Sequence, residues 1–274
     1  MMRALWTSAS GMTAQQLSVD TIANNIANVN TTGFKRERVD FQSLLYETMQ
    51  GAGQNPDLVG NRPANLQVGH GVRPIATNRD FSGGTWEPTG SNLDFAINGR
   101  GFFTISTGTA ATDIAFTRDG SFNLSPTGAG ELSLVTNSGL FVLDNAGDPI
   151  VLANDIDLQS LEVNQNGQFS VRGEAGETVD LGIQLGLVQF PNRQGLEAIG
   201  GNLFLETAAS GAPILEAPGD VGVMSQIIQN HLERSNVRIA QEMVELIVSQ
   251  RAFEVNSRIV TTSNEMLQQT NNMG

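Results

Sequence analysis

The sequence predicts an α+β fold in which N- and C-terminal helices pair as a coiled-coil-like domain, with a central all-β domain of short strands and an extended arm between. Three observations carry it. Apolar residues recur every seven positions at both ends of the 274-residue chain, short alternating runs broken by Gly, Asn, Asp and Pro fill the middle, and a stretch dotted with Gly and Pro lies between the first helix and that middle. The expected organisation is a helix over 1–32, a connecting segment over 33–71 with the arm at about 46–66, a β domain over 72–217 and a second helical segment over 218–274.

In the first helix Leu5, Met12, Val19 and Ile26 stand seven apart, with Ala9, Ile22, Ala23 and Val29 between them. That is a narrow apolar seam. The remaining surface is Ser, Thr, Gln and Asn, which form helix weakly or carry no charge, so this helix is expected to need a partner. Asn24, Asn25, Asn28 and Asn30 crowd its end. They either fray or cap the helix or bond to another chain, and beside the C-terminal heptads contact between subunits is the preferred reading. Gly33 fits the left-handed position that closes a helix, Phe34 anchors the segment after it, and Lys35, Arg36 and Arg38 read as a basic cluster beside the negative helix end or as a solvated face.

Gly51, Gly53, Pro56, Gly60 and Pro63 exclude a continuous helix or a central strand, which leaves a loop or an extended arm. Farther on, Leu93, Phe95 and Ile97 alternate into Asn98-Gly99, and Phe103 and Ile105 resume the alternation, predicting a hairpin. Asp119-Gly120-Ser121-Phe122-Asn123-Leu124 and Asn166-Gly167-Gln168-Phe169-Ser170-Val171 repeat one X-Gly-x-Phe-x-aliphatic phrase. Both read as hairpins with the phenylalanine in the core; carbohydrate-stacking platforms favour the Trp and Tyr that these phrases lack.

Toward the C-terminus Leu232, Ile239, Leu246, Phe253, Val260 and Leu267 are spaced by seven, flanked by Met243, Ile247, Val255, Ile259 and Met266. No turn residue interrupts Leu232 to Gln269, so one helix about 55 Å long is expected.

The formal net charge of -13 is uneven: residues 91–219 hold four basic against fifteen acidic residues, while 1–90 balance at seven each and 220–274 hold four against six. An acidic surface repels nucleic acid and anionic lipid, so neither is an expected partner. There is no cysteine, and His70 and His231 are the only histidines, so a histidine metal site or a Ser-His-Asp device has little to draw on, and no cofactor is expected. No run reaches the roughly 18 apolar residues of a membrane span, so direct membrane insertion is not expected. The start, MMRALWTSAS, lacks the pattern of a secretory signal peptide. The central acids admit a rival reading, a periplasmic glycan-binding or glycan-cleaving protein with a dimerising coiled coil.

ANNIANVNTTGFKRERVDFQSLLYE, from Ala23 to Glu47, resembles the N-terminal signature of the rod and hook family of axial proteins of the bacterial flagellum. NGRGFFTI (98–105), TRDGSFNLSPTG (117–128) and GLEAIGGNLFLETAASGAP (195–213) resemble its middle domain, and SNVRIAQEMVELIVSQRAFEVNSR (235–258) its C-terminal signature. The resemblance implies a structural subunit of the distal part of the rod, self-assembling head to tail into a hollow shaft that transmits torque and forms part of the export channel. It implies as partners many copies of the chain itself, proximal rod subunits and hook subunits at the two ends, and the surrounding peptidoglycan- and outer-membrane-associated bushing rings. It places the chain in the basal body across the periplasm, exported by the flagellar type III route without a cleaved signal, and attributes straightness of the rod to a stretch at the arm. The expected self-assembly interface comprises Leu5, Met12, Val19, Ile22, Asn24, Asn25, Ile26, Asn28, Gly33, Phe34, Leu232, Ile239, Met243, Leu246, Phe253, Val260 and Leu267.

Overall fold

The computed structural model describes residues 2–50, 53–54, 61–62, 65–108, 114–127, 131–153, 160–173, 178–216 and 224–272. The chain divides into two compact units, one of Met1–Ala27, Glu37–Arg79 and Arg238–Gly274, the other of Asn28–Arg36 and Asp80–Val237. The first unit thus takes in Glu37–Arg79 beside both helices, and the β-rich unit takes in the segments that follow the first helix and precede the second.

In the first unit, α1 (Met2–Ala27) packs against α2 (Ile239–Asn272). Gly11 faces Asn256 and Asn25 bonds to Glu242, so the helices run antiparallel. Gly11 lets them approach: a Cβ there would lie 2.9 Å from the Asn256 amide nitrogen. Glu37–Ser43 pairs antiparallel with Val72–Arg79, and α1 packs against both strands. Past Leu44 and the exposed Leu45, Tyr46–Gln50 pairs with Leu66–Gly69 and Gly53–Gln54 with Asn61–Arg62, both antiparallel. The described part of the arm is therefore a two-stranded ribbon, which holds Gly53; Gly51, Pro56, Gly60 and Pro63 lie outside the described residues.

Both helices are shorter than the expected spans. Leu232 is not helical; it lies in the strand His231–Glu233, paired with Trp86–Pro88. Asn236 holds the intervening chain extended, accepting the Arg36 N–H at 2.8 Å and donating its amide to the Asp80 carbonyl at 2.8 Å. Those main-chain partners compete with helix, as short polar side chains do. At the other end α1 stops at Ala27, so Gly33 closes a separate turn. Its φ of 69° is left-handed, its N–H donates to the Glu233 carbonyl at 2.8 Å, and a Cβ would meet the Asp119 nitrogen at 2.7 Å.

The β-rich unit is built on a ten-stranded sheet in which Phe102–Ser106 pairs with Ile114–Thr117, Phe141–Val142 and Leu187–Gln189. Successive strand residues face opposite sides. Phe103 therefore joins one apolar cluster with Phe95, Ile97, Phe122, Phe169 and Ile227, while Phe102 joins another with Phe81, Phe116, Phe190 and Phe204. Phe102 meets the rings of Phe81, Phe190 and Phe204 edge-on at centroid distances of 5.6, 5.8 and 6.0 Å.

Phe122 and Phe169, the aromatic positions of the repeated phrase, are both buried in the first cluster. Both phrases enter hairpins, Phe122–Pro126 pairing with Glu131–Thr136 and Leu161–Val163 with Gln168–Arg172, but only in the second does the glycine lie in the turn, Gly167 having a φ of 82°. Gly120 serves close approach instead, since a Cβ there would lie 1.7 Å from the Phe95 carbonyl oxygen. Asn98-Gly99 is not a hairpin turn either. Phe95–Asn98 pairs with Gln226–Gln229, and Asn98 lacks the positive φ that a primed turn requires. Gly99 makes room for Ser225, whose Oγ would be 2.4 Å from an added Cβ.

Candidate assembly interface

Apart from Ile22, the residues that α1 and α2 bury are small or polar. Ser8, Ala14, Ile22 and Asn25 are the buried residues of α1, and Glu242, Ser249 and Ser263 those of α2. Leu5, Met12, Val19, Ile26, Leu246, Val260 and Leu267 are half-buried, while Ile239, Met243 and Phe253 are exposed. The sevenfold apolar spacing therefore marks residues at the edge of the pair or outside it. Val244, Ile247, Val248, Val255, Ile259 and Met266 add to the apolar surface of α2, with Val248 62% exposed. Val244, Ile247 and Val248 are spaced three and four apart, a second helical stripe that the run Val244-Glu245-Leu246-Ile247-Val248 carries in its sequence. On α1, Met2 and Trp6 are exposed near the N-terminus.

Asn25 is the main polar contact of this unit. Its Nδ2 donates to the Glu37 carbonyl at 2.8 Å and to Glu242 Oε2 at 3.0 Å, and its Oδ1 accepts the Glu37 N–H at 2.9 Å. Asn25 and Glu242 are each 1% exposed. Asn25 is thus engaged within its own chain. Asn28 also bonds locally, accepting from the Thr31 hydroxyl at 3.1 Å, and Asn30 Oδ1 accepts from Arg234 at 3.1 Å; Asn24 is exposed and also has a partner. An open cleft beside Asn25 is lined by Ile22, Val39, Val244, Val248 and the carboxylates Glu242 and Glu245.

In the β-rich unit, Lys35 is neither part of a basic patch nor solvated. Its ammonium is buried, 2.6 Å from Glu233 Oε1, and donates to the Ser82 carbonyl at 2.9 Å. Arg118, also buried, reaches Glu233 Oε2 at 3.3 Å, donates to the Gly99 carbonyl at 2.6 Å and lies over the Phe102 ring. Burial pushes the Lys35 ammonium below its ordinary value, against the attraction of Glu233. Burial acts to raise Glu233, but the charges of Lys35 and Arg118, with hydrogen bonds from Lys35 and the Gly84 amide, hold it below the ordinary carboxylate value. Phe34 is half-buried and Gly33 buried in the same unit.

Two of the central acids, Asp119 and Asp144, are tied into local structure. Asp119 accepts from the hydroxyls of Thr32 and Ser121, each at 2.9 Å, and Asp144 accepts the backbone amides of Ala146 and Asp148 at 2.8 and 2.9 Å. His231 Nδ1 sits 2.8 Å from the Gln229 carbonyl, and His70 lies 3.6 Å from Glu47.

The whole chain aligns with curated proteins of one kind. It is 46% identical over 274 residues to the flagellar basal-body rod protein FlgG of Borreliella burgdorferi, covering 100% of this chain and 99% of that one. The chain belongs to the flagellar basal-body rod protein family. The corresponding FlgG of Caulobacter vibrioides is 42% identical and that of Bacillus subtilis 39% identical, each covering 99% of its own length and 99% or more of this chain. Three family models match: the flagella basal body rod protein over residues 5–35, the flagellar hook protein FlgE/F/G D1 domain over 96–171, and the flagellar basal body rod FlgEFG protein C-terminal over 228–273. The first and last of these rod-family segments hold the two helices with Asn25, Lys35, Glu233 and Glu242, and the middle one holds Phe102, Phe103, Arg118 and both repeated phrases. Periodicity gave no sign of the Asn25 and Lys35 contacts, because their partners lie far away in sequence. The only trace was the crowding of amides and the Gly-Phe-Lys triplet itself.

Proposed function

We propose that this chain is a structural subunit of the flagellar distal rod, which self-assembles head to tail into a hollow helical shaft that transmits torque and forms part of the export channel. The observation that carries the reading is the outward apolar surface of α2. Nine large apolar side chains of α2 are exposed while its seam with α1 is small and polar. An exposed apolar surface of this extent marks an interaction surface. Covering side chains that are about half exposed contributes roughly 1 kcal/mol each, on the order of 10 kcal/mol in all, which offsets a typical cost of association. A contact between different faces of identical subunits repeats without closing and produces a filament.

In this reading the two terminal helices of each subunit form a coiled-coil-like wall around the channel, and the acidic β-rich unit faces the periplasm. The interface residues are those of α1 and α2 that lie at the edge of the pair, Leu5, Met12, Val19, Ile239, Met243, Phe253 and Val260 among them. Proximal rod and hook subunits continue the same contacts at the two ends, and the surrounding rings meet the outer surface. The arm stiffens the shaft, and the flagellar type III route delivers the chain.

Electron microscopy of the purified chain with and without residues 1–30 tests the reading. Tubes are expected from the intact chain and none from the truncation. Tubes from the truncated chain, or a discrete small oligomer from the intact one, would overturn it.

A further inference from the structure

We propose that Asn25 is a positioning residue that sets the register of α1 against α2, and so selects which apolar residues the pair presents to other subunits. The sevenfold repeat does not decide that register alone. Sliding α2 by seven residues would bring Ser249 to the place of Glu242 and Ser263 to the place of Asn256, and both are small enough to pack beside Asn25 and Gly11. It would also keep an apolar residue at the places of Ile239, Leu246, Phe253 and Val260, because Leu246, Phe253, Val260 and Leu267 repeat at that interval. The repeat and the small seam residues therefore admit a second register, displaced by about 10.5 Å along the helix.

Asn25 distinguishes the two. Its carboxamide has one acceptor and two donor hydrogens to satisfy. The Glu37 main chain takes the acceptor and one hydrogen, at 2.9 and 2.8 Å, which fixes α1 to the strand Glu37–Ser43. The other hydrogen is directed at Glu242 Oε2 at 3.0 Å. In the slipped register the shorter Ser249 replaces that carboxylate, and a buried donor loses a charged acceptor, which is costly. A single buried polar contact fixes register in coiled coils for the same reason. The value of the register for assembly rests on the polymer reading above; the register itself does not.

The chain contains no cysteine, so introduced pairs report register cleanly. Gly11→Cys with Asn256→Cys reports the observed register, and Gly11→Cys with Asn256→Ala and Ser263→Cys the slipped one. Both are oxidised in the dilute full-length chain, and the intramolecular disulfide is scored by gel mobility, so the result does not depend on polymerisation. With Asn25 present the first pair is expected to form at least tenfold more product than the second. Asn25→Val is expected to lower that ratio at least tenfold. Glu242→Leu, which leaves the bonds from Asn25 to Glu37 in place, is expected to lower it as well, and Glu242→Gln, which keeps an acceptor, to preserve it. Equal cross-linking of the two pairs in the parent chain overturns the proposal, as does an unchanged ratio in Glu242→Leu. Normal register with no tubes by microscopy would instead count against the polymer reading alone.

Discussion

The Lys35 ammonium and the Glu233 carboxylate meet at 2.6 Å with no exposure to solvent, and Arg118 approaches the same carboxylate from its other oxygen at 3.3 Å. Two buried cations thus share one buried anion. Removing the anion leaves both cations uncompensated, whereas removing Lys35 leaves a neutral pair. Glu233→Gln is therefore expected to destabilise by about 3–5 kcal/mol, and Lys35→Met by less, about 1–3 kcal/mol. Urea unfolding of the two variants checks the order; a more damaging Lys35→Met would refute the account.

The same cluster sets a response to acid. Glu233 is held below its ordinary value of 4.5, so the folded state favours its ionised form. The stability this contributes is fully present above the ordinary value and is lost as pH falls through the lower folded one. Thermal unfolding measured between about pH 6 and 3 is expected to show a falling midpoint, with a shallower fall in Glu233→Gln. Equal slopes in the two proteins would show that other carboxylates dominate.

At Gly33 the left-handed φ of 69° and the approach of the Asp119 nitrogen to 2.7 Å of an added Cβ act together. Gly33→Ala is expected to cost about 1–2 kcal/mol in backbone conformation and a further 1–3 kcal/mol in overlap. Calorimetry is expected to show a midpoint lower by roughly 5–15 °C. A change below the error of the measurement would mean the turn adjusts freely.

Val248 is 62% exposed and lies on the outer apolar stripe, so Val248→Asp is expected to leave the fold and its unfolding midpoint nearly unchanged while abolishing tubes in electron micrographs. Normal tubes from this variant would remove the outer stripe of α2 from the interface. Leu246 is half-buried in the unit, so Leu246→Asp mixes loss of folding with loss of assembly and is the weaker test.

Amino-acid order by itself determined the two helices, the β-rich middle, and the phenylalanines that follow Gly120 and Gly167 into the core. Each depends on periodicity or turn chemistry within about ten residues, which local sequence encodes. Only the tertiary structure decided which faces of the helices turn inward. The heptads drew attention to Leu246 and Phe253, yet the seam holds Gly11, Ser249 and Asn256, because close antiparallel approach selects small residues. It also decided the strand partners: Phe95–Asn98 takes Gln226–Gln229 in place of its neighbour across Asn98-Gly99. Lys35 and Asn25 show the same limit, since their partners Glu233 and Glu242 stand 198 and 217 residues away. No pattern along the chain marks such pairs; their energy exists only after the fold has brought the two groups together and excluded water from between them.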